Sequence, residues 1–241
     1  GENAAAEEAY AQAIEILGEL AQDQPLDDEV SRQLATAHNF AGELRRVTGR
    51  TDEARSAYEQ AERIQQTLVR QTGSAEHVSE LARTLYNLSL LEKNSDQLEA
   101  ALQRLQDADA LLDKLPNDLQ LRNKHHQHLA RIKLNEGSVL RLMKQPEEAA
   151  MSYEEAISEF ESLVDSTPEV TEYRFELAMA LNNYGNLLSQ SDRVSAIVKL
   201  QQSREMLGRL AGDYPLIPIY RQELANACNG LAGVLAGQGS L

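Results

Sequence analysis

One phrase of sixteen residues comes back in altered form later in this chain. It reads "YRFELAMALNNYGNLL" at residues 173–188 and "YRQELANACNGLAGVL" at residues 220–235. With a Leu-Ala pair within it as anchor, related blocks occur at five places, with successive spacings of 47, 48, 48 and 47 residues. The leucines of these pairs are Leu34, Leu81, Leu129, Leu177 and Leu224. A steady period of this length indicates stacked copies of one structural unit, each of which must fit against the copy before it.

Two further patterns keep the same period. Eight residues after each leucine comes a small residue, and these small residues are Gly42, Ser89, Gly137, Gly185 and Ala232. A triplet of a small, a large and a small residue, spaced four and then three apart, begins at Ala6, Ala54, Ala101, Ala149 and Ala196. This spacing places the three residues on one face of a helix. We therefore expect a neighbouring helix to approach closely at that face and receive the large side chain.

Composition and helix-stopping residues complete the fold prediction. The 241 residues are rich in Ala, Leu, Gln and Glu, with no Trp and three Phe, and such straight-chain residues lose little rotamer freedom in a helix. Each triplet helix is followed by a residue that stops a helix, and these are Pro25, Gly73, Pro116, Pro168 and Pro215. The sequence therefore predicts an all-α chain of about ten helices.

Within each predicted pair, the first helix carries the Leu-Ala motif and the second helix carries the triplet. We expect one helical-repeat domain over residues 1–241. It would comprise an unpaired second helix at 4–22, pairs at 27–71, 75–114, 117–166 and 169–213, and an unpaired first helix at 216–237. A chain that starts on a second helix and stops on a first helix looks excised from a longer protein.

The patterns resemble the tetratricopeptide repeat (TPR). The "NYG" of residues 183–185, followed by the small-large-small triplet, is similar to the family pattern. The family's usual period is 34 residues, so the longer period here implies that each helix gains about two turns, or ~10 Å. The resemblance implies a TPR-like α-solenoid of antiparallel helix pairs in two layers, with first helices lining a concave face.

A second resemblance rests on fewer residues. The phrase P-x-x-x-x-Y-R-x-E-L-A, which starts at Pro168 and again at Pro215, is similar to long-period repeat regions of large multidomain bacterial proteins, such as serine/threonine protein kinases. The sequence contains no glycine-rich loop, His-Arg-Asp or Asp-Phe-Gly motif of a kinase. A kinase, if present, would lie outside this chain.

The TPR resemblance implies a groove on the first helices that binds a peptide or partner helix. The side chains that this resemblance places on the concave face are Arg83, Tyr86, Asn87, Arg131, Asn135, Asn182, Asn183 and Asn186. Asn can donate to and accept from a peptide backbone, and Arg can bind a carboxylate with two hydrogen bonds. The competing interpretation is that the asparagines bond neighbouring helices and that a groove arginine pairs with a nearby Glu.

Charge separates the predicted first and second helices. The five second helices sum to −14 and the five first helices to zero, out of a net charge of −15. This acidity argues against nucleic acid as a partner and against a membrane-surface role. The sequence also has no apolar run of the ~20 residues that a membrane-spanning helix needs. We expect the acidic second helices to form a solvated face and the partner to bind the first helices.

Other chemistry is weakly indicated. His125 and His128 in "KHHQH" are three apart and could share a metal ion, but a solvated polar helix start is the preferred interpretation. The single Cys228 is expected to be a small buried side chain. The residues form no motif for nucleophilic or acid-base catalysis. We expect neither an enzyme nor a cofactor or metal site.

Three functions therefore remain open from the sequence. The favoured one is a protein-protein interaction scaffold that binds a peptide or partner helix in the concave groove. The alternatives are a regulatory or substrate-recruiting segment of a larger multidomain enzyme, and a structural spacer or self-associating array. Self-association could use the apolar residues of the first and last helices, which are Tyr10, Ile14, Leu17, Leu224, Leu231 and Leu235.

Overall fold

The computed structural model describes residues 1–23, 27–115 and 122–237. Over these residues the chain forms ten α-helices and no strand, which confirms the all-α prediction. The helices are α1 (Glu2–Asp23), α2 (Asp28–Val47), α3 (Thr51–Thr72), α4 (Ala75–Asn94), α5 (Leu98–Leu112), α6 (Arg122–Leu142), α7 (Pro146–Ser166), α8 (Thr171–Leu188), α9 (Arg193–Asp213) and α10 (Pro218–Ala236).

The chain divides into two compact units. Unit 1 is Gly1–Asn117 and contains α1 to α5, and unit 2 is Asp118–Leu241 and contains α6 to α10. In unit 1 the first helices α2 and α4 contact each other, α3 packs against both, α1 packs on α2 and α5 packs on α4. In unit 2 the first helices α6, α8 and α10 contact in succession, α7 packs against α6 and α8, and α9 packs against α8 and α10. Each unit therefore has a first-helix layer (α2 and α4, or α6, α8 and α10) and a second-helix layer.

Local chemistry sets the helix ends. Asp27 and Asp192 precede α2 and α9, and their carboxylates accept hydrogen bonds from backbone N–H groups three residues later, at 3.0 and 3.1 Å. Gly73 follows α3 with φ +60°, a conformation that costs glycine little. Pro168 and Pro215 follow the ends of α7 and α9, as the sequence predicts. The corresponding Pro25 and Pro116 lie outside the described residues.

Large side chains of the second helices pack directly on small residues of the first helices. A Cβ atom added to Gly42 would lie 2.8 Å from the ring of Tyr58. At Gly137 it would lie 2.7 Å from the ring of Tyr153, and at Gly185 it would lie 2.7 Å from Leu200 Cγ. Because real Cβ atoms do not approach so closely, any larger residue would force the helices apart. The close approach predicted from the periodic small residues is present at these three pairs.

The triplet faces of α3 and α9 are covered on their other side by the following first helix. Ala54 and Tyr58 of α3 form a buried cluster with Leu88 and Leu91 of α4. In unit 2, Ala196 and Leu200 of α9 cluster in the same way with Leu231 and Val234 of α10. A second helix thus lies between two successive first helices, and this repeated contact buries the core of each unit.

Candidate functional site

The first-helix layer of unit 1 carries three of the predicted groove residues. Arg83, Tyr86 and Asn87 follow one another around one side of α4 and are all half-buried. The guanidinium of Arg83 forms no hydrogen bond or ion pair within the described part of the chain, although it lies near enough to Glu80 to favour the charged carboxylate. Arg83 is therefore a cation on the first-helix layer, and no carboxylate of the described residues binds it.

A second arginine of this layer, Arg32 on α2, was not singled out from the sequence. It donates two hydrogen bonds to Glu29, at 2.8 and 2.9 Å, and lies 3.7 Å from Glu76 and 3.6 Å from Glu80. The hydrogen bonds from Arg32 hold the pKa of Glu29 at about 2. Burial raises the pKa of Glu80 in spite of the two arginines. Arg32 therefore bridges α2 and α4. The sequence signal that could have found it is a basic residue that lies about one repeat before two glutamates, here Glu76 and Glu80.

In unit 2 the predicted groove residue Arg131 has carboxylate partners. It forms ion pairs with Glu172, at 2.6 Å, and with Glu176, both on α8. Gln127 also donates to Glu176, at 3.2 Å. Burial raises the pKa of Glu176, and the charge and hydrogen bonds of Arg131 oppose that rise. Arg131 thus joins α6 to α8, the structural role that was weighed against partner binding.

The asparagines of unit 2 lie in four different environments. Asn135 donates to the carbonyl of Arg131, one turn earlier, at 3.1 Å. Asn182 is buried, and its Oδ1 atom has no hydrogen-bond partner among the described residues. Asn183 is half-buried and Asn186 is exposed, with the Oδ1 of Asn186 lying against Gly230 of α10. Asn186 is therefore the most exposed of the four, Asn135 and Asn183 are half-buried, and Asn182 is buried.

A cavity of about 440 Å³ opens between α7, α8 and α9. Its charged lining comprises Glu154, Glu161, Asp192 and Lys199, and Tyr184 forms part of its wall. The hydroxyl of Tyr184 donates to Glu154. Burial is the larger cause that raises the pKa of Tyr184 to about 12, and the interaction with this carboxylate is the next. Because three carboxylates line the cavity with the single ammonium of Lys199, the cavity favours a ligand that carries a cationic group. The sequence did not indicate this cavity, because its residues come from three helices without a common motif.

The histidine cluster lies at the start of α6. His126 Nδ1 lies 2.5 Å from Glu159 Oε2 of α7, so that the pair forms a salt bridge when the imidazole is protonated. His125 and His128 are half-buried and take part in further interactions. In the described ranges no group of three or more His, Cys, Asp or Glu residues is placed to hold a metal ion. In the same ranges no helix has the length and apolar character needed to cross a membrane.

Cys228 corrects one expectation from the sequence. The structure places its side chain on the exposed face of α10, so the expectation of a buried cysteine is wrong. The equivalent residue of α8 is Leu181, 47 residues earlier, and it is buried. The difference arises because α9 covers that face of α8, whereas no described helix covers it on α10.

Solved structures share this fold. BtubC (BKLC) from P. vanneervenii is 17% identical, over 100% of this chain and 94% of that chain, with a TM-score of 0.63. The yeast histone chaperone Hif1 is 13% identical, over 88% of this chain and 96% of that chain, with a TM-score of 0.56. No protein-family model and no curated protein sequence matches the chain. These structural neighbours are TPR-like proteins, and the chain has a TPR-like, all-α helical-repeat fold.

Proposed function

We propose that this chain is a protein-protein interaction module that binds an acidic peptide or partner helix on its first-helix layer. The observation that carries the proposal is the environment of Arg83. The residue is half-buried on α4, and its guanidinium is bound by no carboxylate within the described residues. Such a guanidinium can donate two parallel hydrogen bonds to a partner's carboxylate.

Asn87 supplies the second contact that we propose in unit 1. It follows Arg83 by one helical turn, so the two side chains share one side of α4. Its amide can donate to a backbone carbonyl and accept from a backbone N–H of the same peptide. Tyr86 lies beside it and offers an aromatic ring to an apolar side chain of the partner.

In unit 2 the charge of α6 supports an acidic partner. This helix has five basic residues and one acidic residue, and Lys124 and Arg141 among them are exposed. Arg131 and Lys133 are already paired with Glu side chains, whereas the exposed Lys124 and Arg141 supply positive charge that attracts an acidic chain and speeds its association. Because Arg131 already binds two carboxylates of α8, we propose that Asn183 and Asn186 make the direct contacts here.

Support from the fold is coarser. The yeast neighbour Hif1 is described as a scaffold protein recruiting protein complexes to core histones. Stacked helix pairs present long, continuous helix surfaces, and such surfaces suit extended peptides and helices. On this basis we propose a binding protein rather than an enzyme.

Synthetic peptides of about 15 residues can test the proposal. One set would be rich in Asp and Glu, and a matched set would carry Lys at each of those positions. We expect the acidic set to bind, as measured by fluorescence anisotropy, and the basic set not to bind. Arg83→Glu should weaken the best acidic peptide about tenfold, which corresponds to ~1.4 kcal/mol.

The matched control is Arg63→Glu, which makes the same charge change at an exposed arginine of α3, in the second-helix layer. Its affinity should stay close to that of the wild-type chain. Equal losses from the two variants would indicate attraction by net charge alone. That result, or an unchanged affinity in Arg83→Glu, would contradict the proposal.

A further inference from the structure

The cavity between α7, α8 and α9 has an equivalent place in unit 1, where α3, α4 and α5 meet. The triplets of α3 and α7, like those of α5 and α9, are 95 residues apart, and the Leu-Ala pairs of α4 and α8 are 96 residues apart. Each residue that lines the cavity can therefore be compared with the residue at the same repeat position in unit 1.

In unit 1 two arginines of the chain fill this place. Arg104 of α5 donates hydrogen bonds to Glu62 of α3, at 2.7 Å, and to Glu92 of α4, at 3.4 Å. Arg55 of α3 donates to the side-chain oxygen of Gln97 at 3.3 Å and lies 3.7 Å from Glu92, which is buried. The guanidinium of Arg55 thus contacts acceptors on α4 and at the start of α5 at the same time.

This network of ion pairs has no counterpart in unit 2. The unit 2 residues at the positions of Arg55, Glu62 and Glu92 are Ala150, Ile157 and Leu188, respectively. None of the three carries a charge, and a cavity of about 440 Å³ lies between the helices instead. Ile157 and Leu188 line it and offer an apolar surface to the aliphatic stem of a long side chain.

The acceptor that Arg55 uses in unit 1 is kept in unit 2 and has gained a charge. Gln97 directly precedes α5, and Asp192 directly precedes α9 at the same repeat position. Asp192 accepts hydrogen bonds from the N–H and the hydroxyl of Ser195, at 3.1 and 2.6 Å, and forms no ion pair within the described residues. Glu154 likewise has the hydroxyl of Tyr184 as a donor but no ion pair in this part of the chain.

Glu154 and Asp192 lie at the same end of the cavity. The charges of both carboxylates raise the pKa of Tyr184. The other two charged residues of the lining lie farther along their helices: Glu161 follows Glu154 by seven residues, and Lys199 follows Asp192 by seven residues, which is ~10 Å in each case. Glu161 and Lys199 offset each other, so the net negative charge of the cavity comes from Glu154 and Asp192.

We propose that this cavity binds the guanidinium of an arginine side chain that a partner protein presents. The stem of that side chain packs on Ile157 and Leu188, and its guanidinium donates to Asp192 and Glu154, as Arg55 donates across the equivalent place in unit 1. An arginine suits the site better than a lysine, because its planar group can donate to acceptors on two helices at once, whereas an ammonium is compact and more strongly hydrated.

Fluorescence anisotropy with three labelled peptides of about twelve residues tests this proposal. The peptides share one Gly-Ser sequence with blocked ends, and they carry three arginines, three lysines or three citrullines, citrulline being the uncharged isostere of arginine. We expect saturable binding of the arginine peptide and binding at least about tenfold weaker for the other two. Equal affinities of the arginine and lysine peptides would show attraction by net charge alone and would overturn the proposal.

Two variants locate the binding in the cavity. Ala150→Arg supplies from within the chain the arginine that Arg55 provides in unit 1, and Asp192→Asn removes the charge but keeps a residue that caps α9 well. Each should weaken the arginine peptide about tenfold. The matched controls are Ala110→Arg on α5 and Asp165→Asn on α7, which make the same charge changes at exposed positions and should bind as the wild type does. Losses of equal size in the controls would contradict the proposal.

A titration of the ¹⁵N-labelled wild-type chain with the arginine peptide provides a second measurement, which holds even if a variant loses helix content by circular dichroism. The largest chemical-shift changes in the NMR spectrum should fall on the backbone amides of Ser158, Tyr184 and Ser195, which line the cavity. Changes centred on the first-helix layer around Arg83, or spread evenly over the acidic helices, would show that the peptide does not use this cavity.

Discussion

The two units build the same junction with different chemistry. In unit 1, where α2, α3 and α4 meet, three buried polar side chains form a triad: Asn39 donates to the Thr84 hydroxyl at 2.9 Å, and that hydroxyl donates to Gln65 at 2.7 Å. In unit 2, where α8, α9 and α10 meet, the residues at the repeat positions of Asn39, Gln65 and Thr84 are Asn182, Leu207 and Ala227, respectively.

The unit 2 junction is apolar except for its asparagine. Leu207 and Ala227 pack with Ala178 in a buried cluster, whereas Asn182 keeps an Oδ1 atom without a partner in the described structure. Unit 1 also has one such atom, since Gln65 Nε2 has no hydrogen-bond partner among the described residues. A buried polar group without a hydrogen bond is costly. The comparison teaches that a repeat position tolerates either chemistry, and that a polar residue kept while its neighbours become apolar is left with an unpaired buried atom.

The largest expected effect comes from breaking the triad at its centre. Thr84→Val keeps the side-chain shape but removes the hydroxyl that both Asn39 and Gln65 use. We expect the free energy of unfolding to fall by about 2–3 kcal/mol, because each unsatisfied buried polar group costs about 1–3 kcal/mol. Urea unfolding with an unchanged m-value would measure it.

Two further variants sharpen this result. Thr67→Val is the control, since it makes the same change at an exposed position of α3, and its effect should stay within about 0.5 kcal/mol. Adding Asn39→Leu and Gln65→Leu to Thr84→Val makes the junction fully apolar and should recover much of the loss. A loss no larger than that of Thr67→Val would show that the triad does not stabilise unit 1.

Replacing the equivalent residues Asn39 and Asn182 by Leu should change the free energy of unfolding by a smaller amount, and in opposite directions in the two units. Asn39→Leu removes a partner of Thr84 and should destabilise the chain by about 1–2 kcal/mol. Asn182→Leu removes an unpaired buried oxygen and should be neutral or stabilising by up to about 1 kcal/mol. Urea midpoints of the two variants give the comparison directly, and a loss of similar size in both would mean that Asn182 has a partner after all.

The period of the sequence was sufficient to predict the helices and their layers. The small-large contacts, such as Tyr58 on Gly42, follow from spacing alone, because a repeated unit must present the same surface to each neighbour. The exposure of Cys228 could not be predicted in this way, because it depends on whether another helix covers α10. Periodicity defines the faces of a helix but does not say which faces are occupied.

Side-chain pairing was much less predictable than the fold. Asn39 and Asn182 stand at the same repeat position, yet their environments differ because residues 45 positions away along the chain, Thr84 and Ala227, differ. Arg83 and Arg131 likewise share a repeat position, and only Arg131 has a Glu pair on the next first helix. Two positions aligned by a repeat can thus be compared only together with the residues that face them.

The smallest expected effect is the dependence of stability on pH that His38 of unit 1 causes. Leu181 occupies the same repeat position in unit 2 and cannot titrate. Burial lowers the pKa of His38, and the nearby Arg45 and Arg63 lower it further. The folded state therefore binds a proton less tightly than the unfolded state. The resulting stabilisation is present above the unfolded pKa of 6.5 and is lost as the pH falls through the lower folded value.

His38→Leu would copy unit 2 at this position and should remove that pH dependence. Between about pH 7.5 and about pH 5.5, the melting temperature of the wild-type chain should fall more than that of the variant. Subtracting the two curves cancels the titration of the buried carboxylates Glu80 and Glu92, whose raised pKa values both proteins share. The difference should be the smallest of the three effects, because the ring is only partly buried and solvent screens its charge. Parallel curves would mean that His38 has the same pKa in the folded and unfolded chains, and that unit 1 differs from unit 2 at this position in shape alone.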